Sequence, residues 1–249
     1  MQYDIILPSK PRVVSEEGNK GIYEIDGLYA GYGYTIGNAL RRVLLSSLPG
    51  AAATSVKIDG VNHEFSAIPG VLEDVIEIVL NLKKIRFKLF SEEPVTVTLN
   101  YKGIGEIKAG DIKTTSDVEV VNPDQHIATV TDKKATFEME LKVEKGVGYV
   151  PVEQRQKDKL SVGEIAIDGI FTPVKNVNFS VDNIRVGQRT DYNKILLDLE
   201  TDGSVSPEEA LKKASQILVD HFTVVSSVEV PKEEPKEAKP KKGRKKKEG

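Results

Sequence analysis

The apolar positions across residues 35–48 fall on one side of a helix: Ile36, Ala39, Leu40, Val43, Leu44 and Leu48 recur at i, i+3, i+4, i+7, i+8 and i+12. A stripe of that width faces a packed partner. Thr35 stands where it can cap the start, and Pro49-Gly50 stops the helix. The opposite face carries Asn38, Arg41 and Arg42, together with Leu45, an apolar residue that the stripe does not explain. A second helix is predicted over residues 71–83, with Glu73, Asp74 and Glu77 near its start and Lys83 and Lys84 at its end, as the helix dipole favours. A third begins at Ser206-Pro207-Glu208-Glu209, a capping serine followed by a proline and, at the third helical position, a glutamate. Ala210, Leu211, Ala214, Ile217, Leu218 and Phe222 give it a second apolar stripe.

The rest of the pattern is that of strands. Extended segments are predicted at residues 22–29, 54–59, 85–89, 95–101, 118–121, 127–130, 136–144, 165–171, 174–181 and 195–200, separated by Gly and Asn/Pro turn signals. The fold class is α+β. The strand-rich middle, with little helical periodicity before Ser206, reads as a β-rich subdomain between two helix-containing ends.

The chain has 249 residues, enough for one large domain or two moderate ones. No apolar run reaches the length needed to span a bilayer, and the opening Met-Gln-Tyr-Asp lacks the basic and apolar regions of a secretory signal, so a cytoplasmic location is expected. With no cysteine there is no disulfide framework, thiolate metal site or cysteine nucleophile, and His63, His126 and His221 are too scattered to suggest a metal cluster. The formal charge of −3 is unevenly spread. Residues 231–249 hold nine of the 35 Lys and Arg and four of the 38 Asp and Glu, a net +5 that leaves −8 on the rest. An acidic body is a poor match for a phosphate backbone.

One segment imitates a nucleotide site. Gly31-Tyr-Gly-Tyr-Thr-Ile-Gly37 lies between a predicted strand and a helix, where glycines let backbone amides approach a pyrophosphate. The spacing is one residue too long for the dinucleotide fingerprint, and no parallel strand with an acidic end follows to hold a ribose. The other reading of the glycines is a tight turn that lets another chain approach the helix start. No P-loop, nucleophile arrangement or Asp-rich magnesium motif is visible. No metal, cofactor or catalytic residue is expected.

The stretch GYGYTIGNALRRVLLSSLPG at residues 31–50 closely resembles the first helix of the alpha subunit of bacterial RNA polymerase. The resemblance continues in KIDGVNHEFS (57–66), GVLEDVIEIVLNLK (70–83), GVGYVP (146–151) and QRTD (188–191), in the family's order, and covers residues 1–228. It implies a discontinuous dimerisation subdomain, mapped to residues 1–46 and 173–229, with a β-rich subdomain inserted at 47–172. Residues 230–249 are then a disordered charged tail, in keeping with their Pro, Lys and Glu repeats.

The resemblance also implies a function. Members of the family are non-catalytic subunits of a nucleotidyltransferase: they dimerise and nucleate assembly of the large beta and beta-prime subunits, which carry catalysis, in a complex that also holds omega and sigma. Arg42 matches an arginine required for beta binding, with Asn38, Arg41 and Leu45 beside it, and Lys83 matches another position implicated there. Packing of the first and third helices of two copies implies Tyr32, Ile36, Leu40, Leu44, Leu211, Ile217, Leu218 and Phe222 as the homodimer core. The beta-prime contact maps to Pro173, Val174, Arg185, Gln188, Arg189 and Asp191.

Full-length members usually carry a DNA-binding C-terminal domain after a flexible linker; through truncation there or because this version lacks the domain, the sequence ends within the linker-like tail. Its basic run reads as a solvated linker with at most weak phosphate contact, so DNA contact by this chain is expected to be weak or absent. The classes set against this reading are a nucleotide-dependent enzyme using the glycine turn and a free-standing DNA-binding regulator, which the acidic body disfavours.

Overall fold

A computed structural model describes residues 5, 7–155, 161 and 163–228. The tail expected to be disordered, residues 230–249, lies outside the described residues. The chain begins with strands β1 (Arg12–Glu17) and β2 (Lys20–Leu28) and helix α1 (Tyr32–Ser46). There follow β3 (Pro49–Ile58), α2 (Val75–Leu82), β4 (Phe87–Leu89), β5 (Val95–Lys102), β6 (Gly105–Lys108), β7 (Val118–Val120), β8 (His126–Val130) and β9 (Thr136–Val147). Next come β10 (Tyr149–Val150), α3 (Val152–Arg155), β11 (Glu164–Ala166) and β12 (Gly169–Ile170), and then β13 (Val174–Val186), β14 (Arg189–Thr201) and α4 (Pro207–Ser226).

Strands from the two ends of the chain make one antiparallel sheet in the order β1-β2-β14-β13. Helices α1 and α4 pack on it and on each other. The apolar stripes explain why: Leu40, Leu44 and Leu48 from the first, with Ala210, Leu211 and Ala214 from the second, are buried against Tyr23, Ile25, Ile195, Leu197 and Leu199 of the sheet. A second hydrophobic cluster lies between Ala53 and Ile167. Its sheet runs β5-β9-β3-β4-β7, with β11 paired to β3. In β9 the alternation is visible residue by residue, with Phe137, Met139, Leu141 and Val143 buried between more exposed charged neighbours. Helix α2 covers this cluster with Val75, Ile78 and Leu82.

Several boundaries differ from the sequence reading for identifiable reasons. Helix α1 starts at Tyr32, and its cap position is Gly31 at φ 85° rather than Thr35. Amides at the true start of the helix are met from about 160 residues away: Asn193 Oδ1 accepts from Gly31 N at 2.8 Å and Gly33 N at 3.3 Å. Helix α2 starts four residues later than predicted, because Asp74 caps it by accepting from Glu77 N and Val71 instead bridges to Val130. The strand predicted at 165–171 is two short strands, since Asp168 lies between them and bonds elsewhere. Strand β1 was not predicted at all, its six residues being exposed and without alternation. Ser206 caps α4 as expected, accepting from Glu209 N at 3.2 Å.

The glycines near the start of α1 set how close it lies to the sheet. A Cβ on Gly33 would stand 2.6 Å from Val181 Cγ1, and one on Gly37 would stand 2.6 Å from the Phe179 ring. What approaches the helix at Gly33 and Gly37 is β13 of the same chain. Between the two clusters sits Phe171. Cβ atoms on Gly146 and Gly169 would fall 2.6 and 2.4 Å from its ring, and one on Gly50 would fall 1.9 Å from its carbonyl oxygen. An Arg86–Asp202 ion pair at 3.8 Å and the Asp202 N to Pro173 O bond at 2.9 Å tie the same region together.

Gly33→Ala tests the close approach. In an exposed helix the change would stabilise by up to about 1 kcal/mol, but here the methyl has no room. We expect a loss of roughly 1–3 kcal/mol in urea denaturation. A neutral or stabilising result would mean that the helix can move off the sheet without cost.

Candidate protein–protein interfaces

On α1, Asn38, Arg41, Arg42 and Leu45 are all exposed and stand at i, i+3, i+4 and i+7, so they form one outward stripe. The arginines that pair with carboxylates among the described residues are Arg12, Arg86, Arg155 and Arg189. Arg41 and Arg42 project without such a partner.

The residues expected at a dimer core divide into two groups. Leu40, Leu44 and Leu211 are buried within the single chain, because α1 and α4 lie flat on the sheet and cover them there. These three therefore offer little side-chain surface to a second copy. Tyr32 and Phe222 remain 43% and 65% exposed, and Ile36, Ile217 and Leu218 are half-buried at the edge of the core. Val219, Val224 and Val225 of α4 are exposed beside them.

The expected beta-prime residues are not all brought together. Arg185, Gln188, Arg189 and Asp191 are exposed at the tip of the β13–β14 hairpin. Pro173 and Val174 are buried at the other end of β13, a distance on the order of 40 Å along a strand of that length. Their burial leaves little side-chain surface for a partner to meet. At the tip, Arg189 donates to both Asp191 oxygens, at 3.0 and 2.6 Å, and its guanidinium lies over the rings of Tyr29 and Tyr192 at 4.9 and 5.4 Å. The Arg189 bonds hold the Asp191 carboxyl below the usual range, and those to Asp191 and Tyr29 push the Arg189 pKa up. The Tyr29 ring in turn meets Tyr32 edge to face at 6.1 Å.

Lys83 has an internal role. Its Nζ donates to Asp168 Oδ2 at 2.8 Å, and Asp168 Oδ1 accepts from Val152 N at 3.0 Å at the start of α3. Arg155 closes the same region by donating to the carbonyls of Ile167 and Thr54. The Lys83 bond, against the opposing effect of burial, holds the Asp168 carboxyl below its ordinary pKa, helped by the Val152 amide and the Tyr149 hydroxyl.

The glycine turn is occupied by its own chain. The Gly31 and Gly33 amides that could have met a phosphate bond Asn193, and Phe179 and Val181 fill the space beside Gly37 and Gly33. The histidines are separate from one another: His63 bonds Ser66, His126 lies between Glu73 and Glu106, and His221 bonds the Ile217 carbonyl. No helix among the described residues is long and apolar enough to cross a membrane.

Comparison with known proteins gives this geometry a family. The family model for the RNA polymerase Rpb3/RpoA insert domain matches residues 56–172. The DNA-directed RNA polymerase subunit alpha of Roseiflexus sp. (strain RS-1) is 51% identical over 223 residues, which cover 90% of this chain and 68% of that subunit. The chain belongs to the family of DNA-directed RNA polymerase alpha subunits. The alpha subunit of Clostridium botulinum (strain Eklund 17B / Type B) is 51% identical over 86% of this chain and 68% of its own length. That of Desulforudis audaxviator (strain MP104C) is 50% identical over 92% and 77%.

Asn193, Asp168 and Phe171, which organise these surfaces, were not singled out from the sequence. Each acts through a partner far along the chain, so no local spacing marks it. The lowered pKa of Asp168 makes the Lys83 bond testable by pH. A carboxylate whose folded pKa is depressed contributes stability above its unfolded pKa of about 3.9, and loses it as pH falls through the lower folded value. Lys83→Met should therefore cost about 1–2 kcal/mol at pH 7. The gap from wild type should hold down to about pH 4 and close below it. Urea denaturation across that range is the measurement, and a gap that widened on acidification would refute the pairing.

Proposed function

We propose that this chain is a non-catalytic assembly subunit of RNA polymerase, forming a homodimer that receives the beta and beta-prime subunits. The carrying observation is that α1 has two different free surfaces beyond its packed core. One is the apolar edge formed with α4 by Tyr32, Ile36, Ile217, Leu218 and Phe222, and the other is the Asn38–Arg41–Arg42–Leu45 stripe. A second copy suits the apolar edge, and guanidinium forks suit carboxylates and carbonyls of a large partner. The names of the relatives, DNA-directed RNA polymerase subunit alpha, support membership of such a complex.

In this reading residues 1–46 and 173–229 are the dimerisation subdomain, 47–172 the insert and 230–249 a charged linker. The two separate hydrophobic clusters support a division into two subdomains, with Leu48, two residues past the boundary at 46, packed in the first cluster and the second beginning at Ala53. Arg42 is the leading beta contact, with Asn38, Arg41 and Leu45 beside it on α1 and Lys83, at the end of α2, as a further one. The hairpin residues Arg185, Gln188, Arg189 and Asp191 are the beta-prime contact. Omega and sigma share the complex, its location is cytoplasmic, nucleotidyl transfer resides in the large subunits, and direct DNA contact by this chain is weak or absent. The engagement of the Gly31 and Gly33 amides by Asn193 argues against the rival nucleotide-binding enzyme.

Two substitutions separate the surfaces. Phe222→Asp places a carboxylate on the apolar edge at an exposed position, so it should weaken the dimer at least about tenfold without unfolding the chain. Arg42→Ala should leave the dimer intact and weaken capture of purified beta subunit by at least about tenfold. Sedimentation and beta titration read the two effects. Monomers from Arg42→Ala with normal beta binding would invert the assignment of faces.

A further inference from the structure

The chain passes between its two hydrophobic clusters twice, over residues 48–53 and 167–174. The two passages run side by side, since a Cβ on Gly50 would stand 1.9 Å from the Phe171 carbonyl oxygen. Two crossings at one place make a pivot, and a few element-terminal residues of this kind are where hinges form. Beside the pivot lies an open cleft of about 450 Å³, with Gly50 at its base, Leu89 and Phe90 on the insert side and Val205 and Lys213 on the α4 side. Packing across the cleft therefore does not set the angle between its walls.

One charged contact joins the two sides next to the pivot. Arg86, just before β4, brings Nε to 3.8 Å from Asp202 Oδ2, in the corner between β14 and α4. Each partner is fixed from its own side. Arg86 N donates to Asn122 Oδ1 at 2.7 Å, Val121 N donates to the Arg86 carbonyl at 2.9 Å, and Asn122 Nδ2 donates to the Lys84 carbonyl at 3.0 Å. Asp202 Oδ1 accepts from Ser204 N at 2.9 Å and Ser204 Oγ at 2.6 Å, while Asp202 N donates to the Pro173 carbonyl at 2.9 Å. Gly203, at φ 96°, lies against the same insert loop, where a Cβ would stand 3.0 Å from Val121 Cγ1. Partners ordered in advance lose little freedom when they meet.

We propose that the Arg86–Asp202 pair is a latch: closed, it holds the insert at one angle to the dimerisation subdomain, and released, it lets the insert swing about the crossing at Phe171. The inference rests on the two-subdomain division proposed above. Burial supplies the driving force. The Asp202 side chain is 6% exposed and that of Arg86 21%, so loss of the arginine leaves a carboxylate with little water and no cation. Opening toward the cleft hydrates that carboxylate without unfolding either cluster. Because Asp202 is bonded to Pro173 at the crossing itself, the latch has a short lever arm. A small lengthening there moves the far end of the insert much further, and with it the angle between the surfaces carried by α1 and α2.

The chain has no cysteine, so pairs of spin labels can be introduced into the full chain without removing any native thiol. Lys133→Cys with Asp182→Cys reports between the insert and the dimerisation subdomain, and Lys133→Cys with Glu119→Cys is a control within the insert, all three positions being exposed. Each doubly labelled chain is diluted into excess unlabelled chain, and distances are read by pulsed electron paramagnetic resonance. Wild type should give one narrow distribution between the subdomains, and Arg86→Met should broaden it at least about twofold. Asp202→Asn, which keeps an oxygen for Ser204, should broaden it as much, and the double variant no further, because both changes release the same pair. An Arg86→Met width equal to that of wild type, or widths that add in the double variant, would overturn the latch. Broadening of the control pair would mean that the insert is not a unit, and would overturn the subdomain division instead. If Arg86→Met does not fold, Asp202→Asn against wild type decides by the same criterion.

Discussion

The placement of α1 depends on one contact, the docking of its N-terminus on Asn193. Helix ends leave amides unsatisfied, and a buried amide without a partner costs free energy comparable to a lost hydrogen bond. A single side-chain oxygen from β14 accepts from both Gly31 and Gly33, and the Asn193 amide is itself oriented by donating to Asn183 Oδ1 on β13. The glycines at 33 and 37 let the helix lie against Val181 and Phe179 at a distance that side chains would forbid. The helix is thus fixed in rotation as well as position. Rotation decides which residues of α1 enter the core and which face outward.

That constraint divides the apolar residues of α1 and α4 between two uses. Those nearest the sheet, Leu40, Leu44 and Leu211, complete a core within one chain, while Tyr32 and Phe222 stay at its outer edge. A folded single chain and an apolar face left for association are therefore products of the same packing. The aromatic group of Tyr29, Tyr32 and Tyr192 extends it to the β13–β14 hairpin, where Arg189 lies over two of the rings. The hairpin tip and the helix start are in this way parts of one packed unit.

Phe171 has a corresponding place at the boundary between the hydrophobic clusters. Its ring and carbonyl are approached by glycines from β3, β9 and β12, which brings the end of α1, the β9–β10 turn and the return of the chain into β13 into contact. Asp168, three residues earlier, ties the same region to the end of α2 through Lys83. Tight backbone packing at this point gives surfaces from distant segments a common support.

The sequence by itself determined the periodic parts of this molecule. The spacing of Leu40, Leu44 and Leu48, the alternation from Phe137 to Val143 and the Ser206 cap are local, because the 3.6- and 2-residue periods and a cap three residues from its amide are written within a few positions. The exposed stripe of Asn38, Arg41, Arg42 and Leu45 could be read in the same way. Only the tertiary structure decided how much of each apolar face the chain covers itself, so Leu40, Leu44 and Leu211 were expected at a dimer seam and are found in the core. The burial of Pro173 and Val174, the cap from Asn193 and the Lys83–Asp168 bond were also beyond local reading. Each depends on segments separated by tens of residues or more, and periodicity carries the direction of a side chain but not the identity of what it meets.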